Sequence, residues 1–380
     1  MDMAFWQVQE NCKQFTMLWH VLAMAFWHVL AALRTAMEVG ISRVIVETDS
    51  TNLLSWLGPD TSAIVFTLLH HPADLARASA VSRSWRTFVI ANQFSKIQCL
   101  RVCPEVSNFT SIEASSSGSD VKEDVGSSAA AEWENQKRDH RVYMHLNHSL
   151  LSPYNSRNCI IRCIGASSTD NFPEETIENT LEPIDHVEMS LSYWSSGGQR
   201  DPSFPECLIY MLHSDLCLID EIKIQPFQGF IFQYGSPIYS AQYVRFRMGY
   251  PKLPLCPEQL VSDENEGQLT ADDNYTWTYA SPEFPMLQEN VAQSFKFPHA
   301  VLCIGGVVKI ELLGRIQKQA IDGLYYICVS HVQILGNPLS RELSVAPCEN
   351  GVVLKYHPEP RRSNVGGGLT STRKQPHRLI

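Results

Sequence analysis

The segment at residues 53–90 constrains the fold most, because it carries three short helical patterns separated by helix-start signals. Asp60 or Thr61 can cap the first helix. Pro72 ends that helix and fits the first turn of a second, and Ser82 can cap a third. Helices this short bury little apolar surface, so we expect the bundle to need flanking structure or a partner for stability.

An apolar run at residues 53–57 precedes these helices and is larger than so small a bundle can bury. On the first helix, Ile64, Val65, Leu68 and Leu69 fall on one face. The excess apolar surface of the run at residues 53–57 predicts a binding surface, of the type in which helices pack into the groove of a partner.

The order of residues in this segment resembles the F-box motif. That family has Leu-Pro, then a helix with Ile and Leu, then Asp-Leu, and finally Val-Ser-(Arg/Lys)-x-Trp-Arg. The matching elements here are Leu57-Gly58-Pro59, Ile64 with Leu68-Leu69, Asp74-Leu75, and Val81-Ser82-Arg83-Ser84-Trp85-Arg86. Gly58 departs from the pattern, since it separates Leu57 from Pro59. The alternative is that these residues form an ordinary helical hairpin of a larger core.

The resemblance implies that the segment docks a Skp-type adaptor and, through it, a cullin scaffold. The chain would then be a non-catalytic substrate receptor of a ubiquitin ligase, located in the cytoplasm, the nucleus or both. The residues expected to bind the adaptor are Leu54, Trp56, Leu57, Pro59, Ile64, Leu68, Leu69, Pro72, Leu75, Val81 and Trp85.

Residues 1–52 have a different character, with a helical pattern followed by a strand that ends in Asp49-Ser50. This fragment resembles the middle of a plant ribonuclease-H-like domain, a family whose carboxylates hold two metal ions. Asp49 matches one such carboxylate, but neither Asp2 nor Glu38 lies where the family has another. We therefore interpret the fragment as truncated and expect no ribonuclease activity. Asp49 would be catalytic only if the fragment were active.

Three further features limit the function. Residues 15–33 are uncharged and about long enough to cross a bilayer, yet two histidines and several alanines favour a buried helix, so no membrane contact is expected. The formal net charge of -10 argues against a general nucleic-acid binder. The eleven cysteines include no CxxC pair, which is typical of reduced thiols, so neither a metal nor a cofactor is predicted.

Composition divides the remainder of the chain. Residues 106–139 are rich in Ser, Ala and acidic residues and are predicted to be a linker between an F-box module at 53–105 and a domain at 140–356. Residues 357–380 are predicted to be a disordered basic tail. Domain 140–356 carries short strand patterns at 158–165, 207–212, 216–225, 243–248, 275–279, 307–313 and 325–335. Within 307–313, Lys309 and Glu311 alternate with apolar residues, as in a half-buried antiparallel strand.

These patterns predict an antiparallel β-sandwich, or jelly roll, in an α+β multidomain chain. Residues 193–198 (YWSSGG), with the strands that follow, resemble a galactose-binding-like sandwich and a plant F-box subfamily of the same layout. Residues that could bind a ligand are Trp194, Arg200, Tyr239 and Trp277. The alternative is that the two tryptophans only pack in the core.

Two functions stay open at this point. The first is a substrate receptor whose sandwich binds an unknown protein or glycoprotein target. The second is a carbohydrate- or glycoprotein-binding module in which the helical segment is incidental. A ribonuclease-H-like nucleic-acid protein is a third and weaker alternative, because it depends on Asp49 alone.

Overall fold

The computed structural model describes residues 62–64, 66–115, 128–182, 192–228, 238–254, 266–348 and 351–358. The ribonuclease-H-like fragment, the apolar segment at 15–33, the cap at Asp60 or Thr61 and nearly all of the basic tail lie outside the described residues. Among the described helices, none is both long and apolar enough to cross a membrane.

The helical module begins with a helical turn at 62–67, of which residue 65 is not described. The helices are α1 (Pro72–Val81), α2 (Arg83–Ala91), α3 (Phe94–Val102), α4 (Ser128–Leu151) and the short α5 (Glu266–Leu269). Pro72 lies in the first turn of α1, and the hydroxyl of Ser82 accepts a hydrogen bond from the amide of Trp85 at the start of α2. The predicted helix starts at these two residues are confirmed.

Fifteen strands are described. They are β1 (Phe109–Ala114), β2 (Arg157–Asn158), β3 (Ile160–Ala166), β4 (Trp194–Ser195), β5 (Glu206–Leu212), β6 (Leu216–Gln228), β7 (Ile238–Tyr239), β8 (Ala241–Pro251), β9 (Tyr275–Ala280), β10 (Phe284–Pro285), β11 (Gln293–Ile304), β12 (Val307–Arg315), β13 (Cys328–Pro338), β14 (Leu343–Cys348) and β15 (Gly351–Tyr356). All seven predicted strands are present, with ends shifted by a few residues.

Two six-stranded antiparallel sheets form the sandwich. One has the order β10-β8-β12-β5-β3 with β9 beside β8, and the other has the order β11-β6-β13-β2 with β4 beside β13 and β7 beside β6. Their facing side chains share one core, in which Leu208 and Ile310 of the first sheet meet Ile222 and Val332 of the second. The predicted antiparallel sandwich is confirmed.

The sandwich has two ends, which the strand directions define. At the near end, β5 leads into β6, and Gly305 and Gly306 join β11 to β12. Both glycines have positive φ (92° and 69°), which suits the tight hairpin there. At the far end, β3, β6 and β12 finish while β5, β8 and β13 begin.

The region predicted as a linker at 106–139 is largely structured, which corrects that prediction. Its β1 pairs in parallel with β15, and α4 already begins at Ser128. Phe109 and Ile112 are buried, so two apolar anchors hold a segment whose average composition is polar. Residues 116–127 lie outside the described part of this region.

Strand β12 corrects a second prediction, because both Lys309 and Glu311 are 7% exposed rather than solvated. The face that they share is covered by other charged groups. Glu311 pairs with Arg245 at 2.5 Å and Arg247 at 3.2 Å, and Lys309 pairs with Asp272 at 2.7 Å. A buried charge is tolerated when it is paired and hydrogen-bonded, so alternation in the sequence did not indicate exposure here.

Candidate functional site

The first helical turn of the module carries two large apolar side chains on the surface. Ile64 is 53% exposed and Leu68 is 55% exposed. Between them in sequence, Phe66 turns inward and is buried. Because apolar side chains of this size usually lie in a core, the pair forms a candidate contact surface, which we call the Ile64–Leu68 surface.

The other described members of the predicted adaptor-binding set lie beneath this surface. Leu69, Pro72, Leu75 and Trp85 are buried, and Val81 is half-buried. The ring of Trp85 meets that of Phe66 edge-on, with centroids 5.2 Å apart. Leu69, Leu75 and Trp85 thus belong to the core that supports the turn, and Val81 packs against it. Leu54, Trp56, Leu57 and Pro59 lie outside the described residues.

A hydrogen-bonded amide relay, which sequence reasoning missed, holds the end of this turn. Gln98 of α3 is buried and donates to the carbonyl of Leu69 at 2.7 Å. Asn147 of α4, also buried, donates to Oε1 of Gln98 at 2.8 Å. Arg101 donates to the carbonyl of Thr67 as well. A buried amide bonded on both sides fixes its partners, so the turn is held in register with α4.

Helix α4 in turn connects the helical module to the near end of the sandwich. Val142, Leu146 and Leu150 recur on one face of α4 and are buried. They share a core with Cys99 of α3, β1, β15 and sandwich residues that include Leu216, Tyr250, Ile304 and Leu339. The end of the module at Cys99 and Cys103 therefore shares an apolar core with the sandwich, whereas the core around Trp85 is a separate cluster.

His140 lies where α4 crosses α2 and α3, and its environment predicts a dependence on pH. The ring Nδ1 lies 3.1 Å from the hydroxyl of Ser95. Burial, with a smaller contribution from the positive charge of Arg86, lowers the pKa of His140 from 6.5 to about 4. As the pH falls, His140 therefore becomes protonated in the unfolded chain before it does so in the folded one. Its contribution to the free energy of unfolding is fully present above pH 6.5 and decreases towards pH 4.

We expect this single histidine to contribute about 1–3 kcal/mol of the loss in the free energy of unfolding over that interval. In His140→Gln, the loss between pH 6.5 and pH 4 should be smaller by that amount. Urea unfolding followed at several pH values measures it. His148→Gln on the exposed side of α4 is the control and should retain the wild-type dependence. An unchanged pH dependence in His140→Gln would contradict the assignment.

The four predicted ligand residues of the sandwich do not come together. Trp194 is fully buried, and its indole N–H donates to the carbonyl of Ser168 at 3.1 Å, so it packs and does not face a ligand. Trp277 lies on β9, opposite Gly249 near the near end, where it stacks on Tyr275 and faces Lys309 at 5.9 Å. Only Arg200, which is exposed, and Tyr239, which is half-buried, reach the surface at the far end.

A buried ion pair beneath the Trp-Ser-Ser segment was also missed from the sequence. Arg315 at the end of β12 is 1% exposed and pairs with Glu206, which starts β5. The guanidinium also donates to Ser196 Oγ at 3.0 Å and to the carbonyls of Gly197 and Tyr325, each at 2.9 Å. Burial raises the pKa of Glu206 and lowers that of Arg315, and each charge opposes the shift of the other. The pair fixes the loops of the far end to the strands.

The chain is similar to a curated plant protein over most of its length. F-box protein At4g00755 of Arabidopsis thaliana is 46% identical over 294 residues, which make up 76% of this chain and 77% of the relative. The chain belongs to the F-box proteins. No protein-family model matches it.

This relative confirms the predicted resemblance to the F-box proteins, and the name F-box is used below for the helical module, whose motif carries that resemblance. The structure adds a division of its residues that the motif alone does not show. Ile64 and Leu68 are exposed, whereas Leu75 and Trp85 belong to the core of the module.

Solved structures are similar to the F-box protein at low identity. The family 32 CBM from Clostridium perfringens NanJ, in complex with galactose, is 10% identical and covers 46% of this chain and 97% of its own, with a TM-score of 0.27. A fucolectin from Morone saxatilis is 14% identical and covers 48% and 50%, with a TM-score of 0.29. At such TM-scores, the similarity assigns no ligand to this chain.

Proposed function

We propose that this F-box protein is the substrate-receptor subunit of a Skp–cullin–F-box type ubiquitin ligase. The observation that carries the proposal is the exposed Ile64–Leu68 surface on a turn that buried amides hold in place, within a chain of the F-box proteins. The proposal assigns the chain no catalytic step. In this proposal the chain binds the adaptor and the target, and other subunits transfer ubiquitin. Its place is the cytoplasm, the nucleus or both.

The position of the F-box on the sandwich supports this division of labour. The F-box helices and α4 pack on the near end, through the core that includes Leu216 and Ile304. The far end, where β12 finishes and β13 begins, lies at the opposite ends of the same strands. A target bound at the far end would leave the Ile64–Leu68 surface free, so the chain could bind adaptor and target at the same time.

Charging the Ile64–Leu68 surface should abolish adaptor binding. Each large apolar side chain at the centre of an interface contributes about 2 kcal/mol, or about thirtyfold in affinity. We expect Ile64→Asp/Leu68→Asp to weaken capture of a purified Skp-type adaptor by the full chain at least about a hundredfold. Because both side chains are more than half exposed, the melting temperature should change little.

Leu253→Asp is the matched control, since Leu253 is 78% exposed and lies two residues beyond β8, outside the F-box. It introduces the same kind of charge and should leave adaptor capture at the wild-type level. Biolayer interferometry with immobilised adaptor gives both affinities. Wild-type affinity in the double variant, or an equal loss in Leu253→Asp, would contradict adaptor docking through this surface.

A further inference from the structure

A half-open aromatic cluster lies at the far end of the sandwich. Tyr193 stacks on Phe227 with ring centroids 3.8 Å apart, and Tyr239 meets Tyr326 edge-on at 6.4 Å. Phe227 and Tyr326 are buried, whereas Tyr193 and Tyr239 are only half-buried. We call these four rings the far-end aromatic cluster. Both tyrosines therefore keep solvent-accessible area, and Tyr is among the residue types enriched at interface hot spots.

Three carboxylates lie around the far-end aromatic cluster, and no described salt bridge neutralises them. The hydroxyl of Tyr193 donates to Glu175 and that of Tyr326 donates to Asp322, both at 2.5 Å. Asp170 lies close enough to Asp322 that the repulsion, after the larger effect of burial, raises the pKa of Asp170. Within the described residues, the salt bridges include no Lys or Arg paired with these three carboxylates.

The loops around the cluster are both acidic and apolar. Their described segments, 167–175, 192–205, 286–292 and 316–327, contain six carboxylates but two cations, Arg200 and Lys318. The same segments carry half of the twelve large hydrophobic residues that are exposed in the described chain, namely Phe172, Phe204, Leu287, Val291, Ile316 and Ile321. Ile321, which is 92% exposed, directly precedes Asp322. Apolar surface concentrated in this way marks an interaction surface.

We infer that the far end binds a polypeptide segment of the target that carries Lys or Arg next to apolar side chains. A cationic side chain would lie against the free faces or edges of Tyr193 and Tyr239, with Asp170, Glu175 and Asp322 around it. Cation–π attraction and the unbalanced carboxylates favour such a ligand together. The exposed apolar side chains contact its neighbours in sequence. Nucleic acid is disfavoured by the same negative charge.

This inference rests on the proposed receptor function, because it names the chemistry of the target. Adaptor capture is therefore measured in parallel with peptide binding. Randomised twelve-residue peptides displayed on phage are selected on the full chain bound to a Skp-type adaptor. The selected peptides should be enriched in Lys and Arg beside Leu, Ile or Phe. A synthetic peptide from the selection should bind at least about tenfold more tightly than its Lys/Arg→Glu counterpart, and its affinity should fall as salt is raised.

Two kinds of variant locate the binding. Asp170→Asn/Asp322→Asn and, separately, Tyr239→Ala should each weaken the peptide about tenfold or more while adaptor capture is unchanged. Glu132→Lys on the exposed side of α4 also removes a negative charge and should have no effect. Selection without Lys or Arg enrichment, no selection at all, an equal loss in Glu132→Lys, or displacement of the peptide by galactose would each overturn the inference. Adaptor capture that persists in those cases would leave the receptor function standing.

Discussion

Trp85→Ala should remove about 3–5 kcal/mol from the stability of the F-box and abolish adaptor capture. Trp85 is 2% exposed and contacts Phe66, the residue that faces inward between Ile64 and Leu68. Removal of the indole leaves a cavity at the centre of a small core, which also contains Leu75, Val89 and Phe94. Because so small a bundle has a low free energy of unfolding, the cavity should leave the exposed turn without a folded core beneath it. Leu75→Ala should act in the same way, at about 2–5 kcal/mol.

The loss should stay local, because the sandwich has a separate main core that contains no F-box residue. Hydrogen–deuterium exchange of the full chain measures this directly. Amides of α1 and α2 should lose protection in Trp85→Ala, whereas those of β6 and β13 keep it. Thr87→Ala, an exposed position on the same helix, is the control and should retain both protection and adaptor capture. Undiminished capture by both Trp85→Ala and Leu75→Ala would refute the docking role of the F-box.

Removing either partner of the Arg315–Glu206 pair should have an effect of similar size on the sandwich. A buried charge without its partner costs about 3–5 kcal/mol, which corresponds to a decrease in melting temperature of about 10 °C for a domain of this size. Arg315→Met strands Glu206, which is 2% exposed and otherwise bonded to the hydroxyls of Ser167 and Ser168. It also removes one of the donors to the carbonyls of Gly197 and Tyr325.

A double-mutant cycle tests this prediction, with Arg315→Met, Glu206→Leu and the combination measured by thermal unfolding. The double variant should be more stable than the sum of the single losses predicts, because it leaves neither charge unpaired. Lys355→Met, which breaks the partly exposed pair with Glu113 at 3.4 Å, should cost no more than about 1 kcal/mol. If Arg315→Met cost no more than this surface control, the pair would not be what fixes the far end.

The predicted parts of the F-box depended on signals that are local in sequence. Ser82 as a cap acts on Trp85, three residues along the chain, and Pro72 acts on its own turn. Periodicity likewise showed that Leu68 and Leu75 are apolar faces of helices. It did not show which neighbour covers each face. For that reason the motif alone predicts that Leu75 and Trp85 contact the adaptor, whereas both lie in the core.

The residues that sequence reasoning missed act over long separations. Gln98 bonds a carbonyl 29 residues away and Asn147 lies 49 residues beyond Gln98. Arg315 reaches Ser196 across 119 residues. The sequence does not distinguish a buried polar side chain from a solvated one. The alternation at Lys309 and Glu311 therefore predicted a solvated face, although both side chains are buried. The difference lies in the hydrogen-bond and ion-pair partners of each side chain, and these cannot be read from composition or spacing.

The amino-acid sequence by itself determined the helix starts of the F-box, the strand segments of the sandwich and the order of the two, because caps and apolar periodicity act within a few residues. Tertiary structure alone decided which apolar residues stay exposed, since that depends on what α4 and the sheets cover. It also separated Trp194 from Trp277 and gathered Tyr193, Tyr239 and Asp322 at one end. The direction of each strand in the folded sheets, and not its pattern, determines which loops meet.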